Sequence, residues 1–165
     1  MHLESLPFMG HARDISNQTP PAACCGINLV FPGDSLAVRK ALLTVQDGLK
    51  GMGVGDDTRS IAEIVLAEVL NNIVEHAYAG QDNGVVELHI HKHDKKLKMA
   101  IVDDGLPMPD NRLPNWTAHE LDVRRDDLPE GGFGWSLIRD LSSDLTYARR
   151  NSQNRLSFSI QMNAQ

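Results

Sequence analysis

Hydrophobic and polar positions change their period several times along this chain, and each change marks an element. Residues 23 to 31 are mostly apolar and end at Pro32-Gly33, the pattern of a strand closed by a turn. Between Leu36 and Leu49, the residues Val38, Ala41, Leu42, Val45 and Leu49 recur at helical spacing behind a capping Asp34 or Ser35. Gly48, Gly51, Gly53 and Gly55 predict where that helix unravels. A second helix is predicted from Asp57 or Thr58 to about Tyr78, with Ile61, Ile64, Val65, Val69, Ile73 and Ala77 as its buried stripe. Beyond Gly84 the period falls to two, Val86, Leu88 and Ile90 alternating with Glu87, His89 and His91. Leu97 to Val102 predicts the next strand, after a reversal near Lys95 and Lys96. A long polar stretch punctuated by prolines runs from Leu106 to Glu130. A third helix, at about Gly134 to Ser142, then leads into strands at Leu145 to Arg149 and Leu156 to Met162.

Helices gathered early and strands meeting in hairpins late do not make the alternation of a doubly wound parallel sheet. The order predicts an α+β two-layer sandwich, a mixed, mostly antiparallel sheet with its helices on one face. Residues 1–22 carry no sustained periodicity and read as an N-terminal arm, leaving residues 23–165 as one domain.

Composition narrows the function. With 165 residues, 41% hydrophobic and 23% charged, the chain suits a single soluble domain. The 16 Lys and Arg residues against 22 acidic ones give a net charge of −6, which argues against a surface built to grip nucleic-acid phosphates or anionic lipid. Cys24 and Cys25 are adjacent, which fits neither an unstrained disulfide nor a zinc site of paired arms. No run approaches the roughly 20 apolar residues of a membrane helix, and no signal peptide is visible, so a cytoplasmic protein is expected.

Three constellations carry chemistry. In the second predicted helix, Glu68, Asn72 and His76 fall within roughly 80° of one face at helical spacing, so a carboxylate, an amide and an imidazole project in a row. Most such rows are solvated faces, yet Asn71-Asn72 in mid-helix is a costly choice. Asp103-Asp104-Gly105 places an acidic pair where an apolar strand ends in a turn, which by itself is an ordinary acidic turn. Glu130 to Ile138 is a glycine-rich turn, with Gly131, Gly132 and Gly134, feeding a helix whose free N–H groups can cradle phosphate. It lacks the Lys-Ser/Thr of a P-loop. His89, His91 and His93 alternate at a metal-binding spacing, for which an exposed strand face is the simpler account.

Taken in order, the three resemble the N, G1 and G2 boxes of the GHKL superfamily of histidine-kinase-like ATPases, with its Bergerat fold. The nearest resemblance is to the anti-sigma-factor serine kinases of bacterial partner-switching systems, over residues 23 to 163. It rests on Glu68, Asn72, His76, Ala77 and Tyr78, then Asp103 and Gly105, then Glu130, Gly131, Gly132, Gly134, Leu137 and Ile138. The resemblance implies an ATP- and Mg²⁺-dependent protein serine/threonine kinase. In it, Glu68 is the base or positioning group and Asn72 the Mg²⁺ ligand. Asp103 accepts from the adenine amino group, and His76, Gly105, Gly132 and Gly134 line the nucleotide. Ser157 stands where the family often has a threonine near adenine. The implied partners are a sigma factor and a small antagonist phosphorylated on Ser or Thr, and the family implies a homodimer. One departure is Pro107, where the G1 box often has glycine.

Two other readings stay open. A nucleotide-dependent interaction module of the same fold needs no phosphate transfer. A histidine-kinase catalytic domain would need dimerisation helices that the proline-broken residues before 23 do not offer. The stretch from Leu106 to Glu130 is expected to be a lid responsive to the γ-phosphate. No motif identifies the sigma factor or antagonist.

Overall fold

The computed structural model describes residues 26–79, 84–114 and 132–163. Its strands are β1 (Gly26–Pro32), β2 (Val85–His93), β3 (Lys96–Asp103), β4 (Ser143–Arg150) and β5 (Gln153–Gln161). Its helices are α1 (Ser35–Gly51), α2 (Asp56–Asn72) and α3 (Gly132–Leu141). A π-helical turn, Ile73–Ala77, continues α2, and Pro109–Asn111 form a 3₁₀ turn. The predicted α+β sandwich is therefore present.

The sheet order is β1-β2-β3-β5-β4, and every pairing is antiparallel rather than mixed. Chain direction explains the difference. Two helices, not one, separate β1 from β2, so the chain returns reversed. The connection through α3 leaves β3 and β4 pointing the same way, but β5 inserts between them. Two-residue turns close both late hairpins, Asn151 and Ser152 lying at φ 50° and 65°, the mirror-image geometry that matches strand twist.

One face of the sheet carries the core. Leu88 pairs with Ile101, Ile101 with Leu156, and Met99 with Phe158, all of them buried beneath the helices. Asp34 caps α1 by accepting from the Ala37 N–H at 2.8 Å. Contrary to expectation, α1 runs on through Gly48. A Cβ there would lie 2.6 Å from Ile27 Cδ1, so this glycine lets β1 approach the helix. The buried stripe of α2 is also turned from the predicted one. Leu66 and Leu70 are fully buried while Ile64 is exposed, because α2 packs against α1, α3 and β5 together. Among the described residues no helix is long and apolar enough to cross a membrane.

Candidate active site

The C-terminal half of α2 meets the start of α3. Glu68 and Asn72, one turn apart, are half-buried there. Gly134, in the first turn of α3, is so close that an added Cβ would lie 2.5 Å from Glu68 Oε2 and 3.8 Å from Asn72 Nδ2. The first and third predicted constellations thus converge. A carboxylate and an amide face the end of a helix whose first N–H groups lack intrahelical partners and whose dipole favours negative charge. Asn72 Nδ2 is buried with no hydrogen-bond partner among the described residues. Buried amides are nearly always paired, so a partner for this one is expected from a ligand or from residues outside those described.

His76 does not join them. The Tyr78 N–H donates to the Ile73 carbonyl, five residues back, at 2.9 Å, so the chain widens into a π turn after Asn72. The 100° count that aligned His76 with Glu68 and Asn72 fails across this turn, and His76 is exposed. What the turn buries instead is Tyr78. Its ring lies against both Gly33 and Gly84, where a Cβ on either would come within 2.3 Å of it. Its hydroxyl sits 2.7 Å from both the Val85 carbonyl oxygen and Asp104 Oδ1, and accepts from the Asp104 N–H at 3.2 Å. Tyr78 thereby fastens the end of α2 to β2 and to the Asp103-Asp104-Gly105 turn. Burial, then the Asp104 carboxylate, raise its pKa, while the Tyr78 hydroxyl holds Asp104 below the usual carboxylate value.

That turn sits directly on the helix end. The Leu106 N–H donates to the Ala77 carbonyl at 2.8 Å, and a Cβ on Gly105 would lie 2.6 Å from the same oxygen, so only glycine fits. Asp103 is 5% exposed. Its Oδ1 accepts from the Gly105 N–H at 3.0 Å and from Asn154 Nδ2 at 2.7 Å. Burial raises its pKa, against the lowering effect of those two donors. Asn154 is the hub. Its Nδ2 also donates to the Leu106 carbonyl at 3.0 Å, and its Oδ1 accepts from the Tyr147 hydroxyl at 2.7 Å and from Arg149 Nη1 at 2.6 Å. Arg149 reaches the Gly105 carbonyl as well, at 2.9 Å.

Ser157, expected beside the base, lies elsewhere. It pairs with Ala100 on the sheet face opposite the one carrying Asp103, Leu156 and Phe158. Strand alternation requires this, since Asp103 pairs with Asn154 and the odd-numbered residues of β5 point the other way. Asn154 takes the place beside Asp103. Gly132 opens α3. Trp135, in the first turn of α3, is buried in the core. The histidine row of β2 engages Asn28 through His89 Nδ1 at 2.7 Å. No group of three or more His, Cys, Asp or Glu that could hold a metal ion occurs among the described residues.

The expected lid divides. Residues 106–114 are anchored by Leu106 on Ala77, by the Met108 N–H on the Tyr147 hydroxyl at 3.1 Å, and by Arg139 of α3 on the Pro114 carbonyl. The remainder, 115–131, with Trp116 and Gly131, lies outside the described residues, as does the N-terminal arm.

Comparison with known proteins bears on the family and the fold. Serine-protein kinase RsbW of Bacillus thuringiensis (strain Al Hakam) is 27% identical over 120 residues, covering 72% of this chain and 74% of that protein, and RsbW of Bacillus anthracis matches equally. A crystal structure of RsbU and RsbW domains from Mycobacterium tuberculosis shares the fold. It aligns with a TM-score of 0.58 at 13% identity over 85% of this chain, which spans about a third (33%) of that longer chain. Residues 31–160 match the family model of the histidine kinase-like ATPase domain, and the chain belongs to that family.

Proposed function

We propose that the chain is an ATP- and Mg²⁺-dependent protein serine/threonine kinase that acts as an anti-sigma factor, phosphorylating a small antagonist protein. The observation that carries the reading is the approach of Gly134 to Glu68 and Asn72, which sets a helix N-terminus against a carboxylate and an amide whose nitrogen has no partner among the described residues. The names of the curated relatives support it.

The residues present fit the nucleotide and its metal. Asn72 offers an amide oxygen, the hard ligand Mg²⁺ prefers, beside a helix N-terminus suited to phosphate. Bound Mg²⁺ supplies charge neutralisation at the phosphate oxygens. Asn72 holds it, Gly132 and Gly134 leave room for the phosphates, and Asp103 accepts from the adenine amino group. Gly105 lets the base-binding turn rest on α2. Glu68 accepts the proton of the attacking hydroxyl and orients it, and in phosphoryl transfer placement counts for more than base strength.

The test is transfer from γ-labelled ATP to small anti-sigma antagonists of the source organism, alongside capture of sigma factor in ATP and in ADP. Label on Ser or Thr is expected. Glu68→Gln should cut transfer at least about 100-fold with ATP still bound, and Asn72→Ala should weaken Mg²⁺-dependent binding. Transfer that survives Glu68→Gln would remove the base assignment. Nucleotide-gated capture with no transfer to any antagonist would make the chain an interaction module.

A further inference from the structure

We infer that Asn154 is a positioning residue for base recognition: it pins Asp103 Oδ1 to the following turn, so that Oδ2 is presented to the ligand and separates adenine from a purine bearing a carbonyl at the same ring position. The inference rests on the reading that an adenine nucleotide meets Asp103.

The geometry leaves Asn154 little freedom. An asparagine amide has two N–H donors and one oxygen with two lone pairs. The nitrogen serves Asp103 Oδ1 and the Leu106 carbonyl, and the oxygen serves two donors, the Tyr147 hydroxyl and Arg149. A flipped amide would set its N–H groups against the Arg149 guanidinium and its oxygen against a carboxylate, so the network fixes the orientation. Both hydrogen bonds that Asp103 makes among the described residues arrive at Oδ1. Oδ2 is the oxygen left to a ligand.

Ionisation of Asp103 decides what that oxygen accepts. As a carboxylate it takes the adenine amino group; as a neutral acid it can donate to a ring carbonyl instead. Burial pushes its pKa up, and the Asn154 amide is the largest influence pulling it down. The other groups facing it are Asp104 on its own strand end, Arg149 and Tyr147 from β4, and Tyr78 from the end of α2. Asn154→Asp keeps an acceptor for Tyr147 and Arg149 but sets a second carboxyl against Asp103. Two such groups at hydrogen-bond distance hold one proton between them, so neutral Asp103 persists to higher pH.

The experiment compares binding of Mg-ATP and Mg-ITP from mildly acidic to mildly alkaline pH. Inosine triphosphate carries the carbonyl and the same phosphates, so the ratio of the two affinities cancels effects at the phosphates and the metal. The parent should prefer ATP, with the preference shrinking as pH falls. Asn154→Asp should move that inflection upward and cut the preference about tenfold at neutral pH. Asn154→Ser, with melting curves for every variant, covers the case in which the aspartate variant fails to fold. If both Asn154 variants weaken ATP and ITP equally at every pH, Asn154 only supports the fold and the inference is overturned. If Asp103→Asn leaves both affinities at the parent's values, the base does not meet Asp103 and the underlying reading falls with it.

Discussion

The two ends of the candidate site are built on opposite plans. At the Asp103 end the polar groups are closed on one another: Tyr78, Asp104, Asn154, Tyr147 and Arg149 join the end of α2 to β2, β3, β4 and β5 through hydrogen bonds mostly between 2.6 and 3.2 Å. At the Glu68 end, Asn72 keeps a buried amide nitrogen with no partner among the described residues, and only the hydrogen of Gly134 separates α3 from Glu68. Folding completes the first region except for Asp103 Oδ2, whereas the second keeps a buried donor that no described residue completes. Stability should therefore reside mainly at the Asp103 end, and phosphate chemistry at the other. Unsatisfied polar groups cost folding energy, and proteins keep them mainly where they serve function.

The sharpest attempt to break this contrast sets Tyr78→Ala against Asn72→Ala. Removing the Tyr78 ring empties the space between Gly33 and Gly84 and takes away the hydroxyl that ties Asp104 to β2, and should cost about 3–5 kcal/mol in urea unfolding. Asn72→Ala deletes an amide whose nitrogen has no partner among the described residues and gains helix propensity, so its stability should stay level or rise by about 0.5 kcal/mol. A large loss in Asn72→Ala would show that the amide has a folding partner, and the contrast would fail.

Two glycine substitutions come next. In Gly105→Ala the new methyl meets the carbonyl of Ala77, backbone that cannot swing aside, and the cost should be about 2–3 kcal/mol. In Gly134→Ala the obstacle is the tip of a flexible glutamate, within a helix where alanine is favoured by up to about 1 kcal/mol. That variant should melt no lower than the parent yet lose phosphotransfer, because Glu68 must move from its place. Equal melting shifts in the two variants would erase the distinction between the ends.

The legibility of the two ends in the sequence differs for the same physical reason. Asn72 and Gly134 could be picked out because neither residue type suits a helix, a misfit visible in one dimension, and Glu68 because it stands one helical turn before Asn72. The Asp103 end is held by contacts between distant strands. Asn154 carries no motif, and its signal is only that it shares alternation with Leu156, Phe158 and Ile160 and so points a polar group at the core. A strand predicted to start at Leu156 misses it, and attention falls on Ser157, on the wrong face. The π turn was equally hidden, since periodicity assumes a constant angle per residue; its consequence is that Tyr78, noted only as part of a motif, turns into the core while His76 is left exposed. The sandwich, the early helices and the late hairpins were legible because their apolar periods are long, whereas the wholly antiparallel pairing depends on where β5 inserts.

The smallest expected effect separates two adjacent carboxylates. Asp103 has its pKa raised chiefly by burial, so the unfolded chain ionises at lower pH than the folded one. Its contribution to stability is most favourable in acid and declines as pH rises through the raised folded value. Asp104 is exposed and has its pKa lowered, first by the Tyr78 hydroxyl, so its contribution is present above the ordinary carboxylate range and is lost as pH falls through the lowered value. Asp103→Asn keeps an oxygen for the Gly105 N–H and for Asn154 but carries no charge to bury. It should melt slightly above the parent at neutral pH, by about 1–3 °C, and converge with it in acid, while losing the preference for ATP. Asp104→Asn should melt about 1–2 °C lower at neutral pH, a small shift because solvent screens the group, and should also converge in acid. Melting temperatures measured across pH for the two variants must therefore depart from the parent in opposite directions; departure in the same direction would mean that Asp103 is not held as a buried charge at the cost of stability.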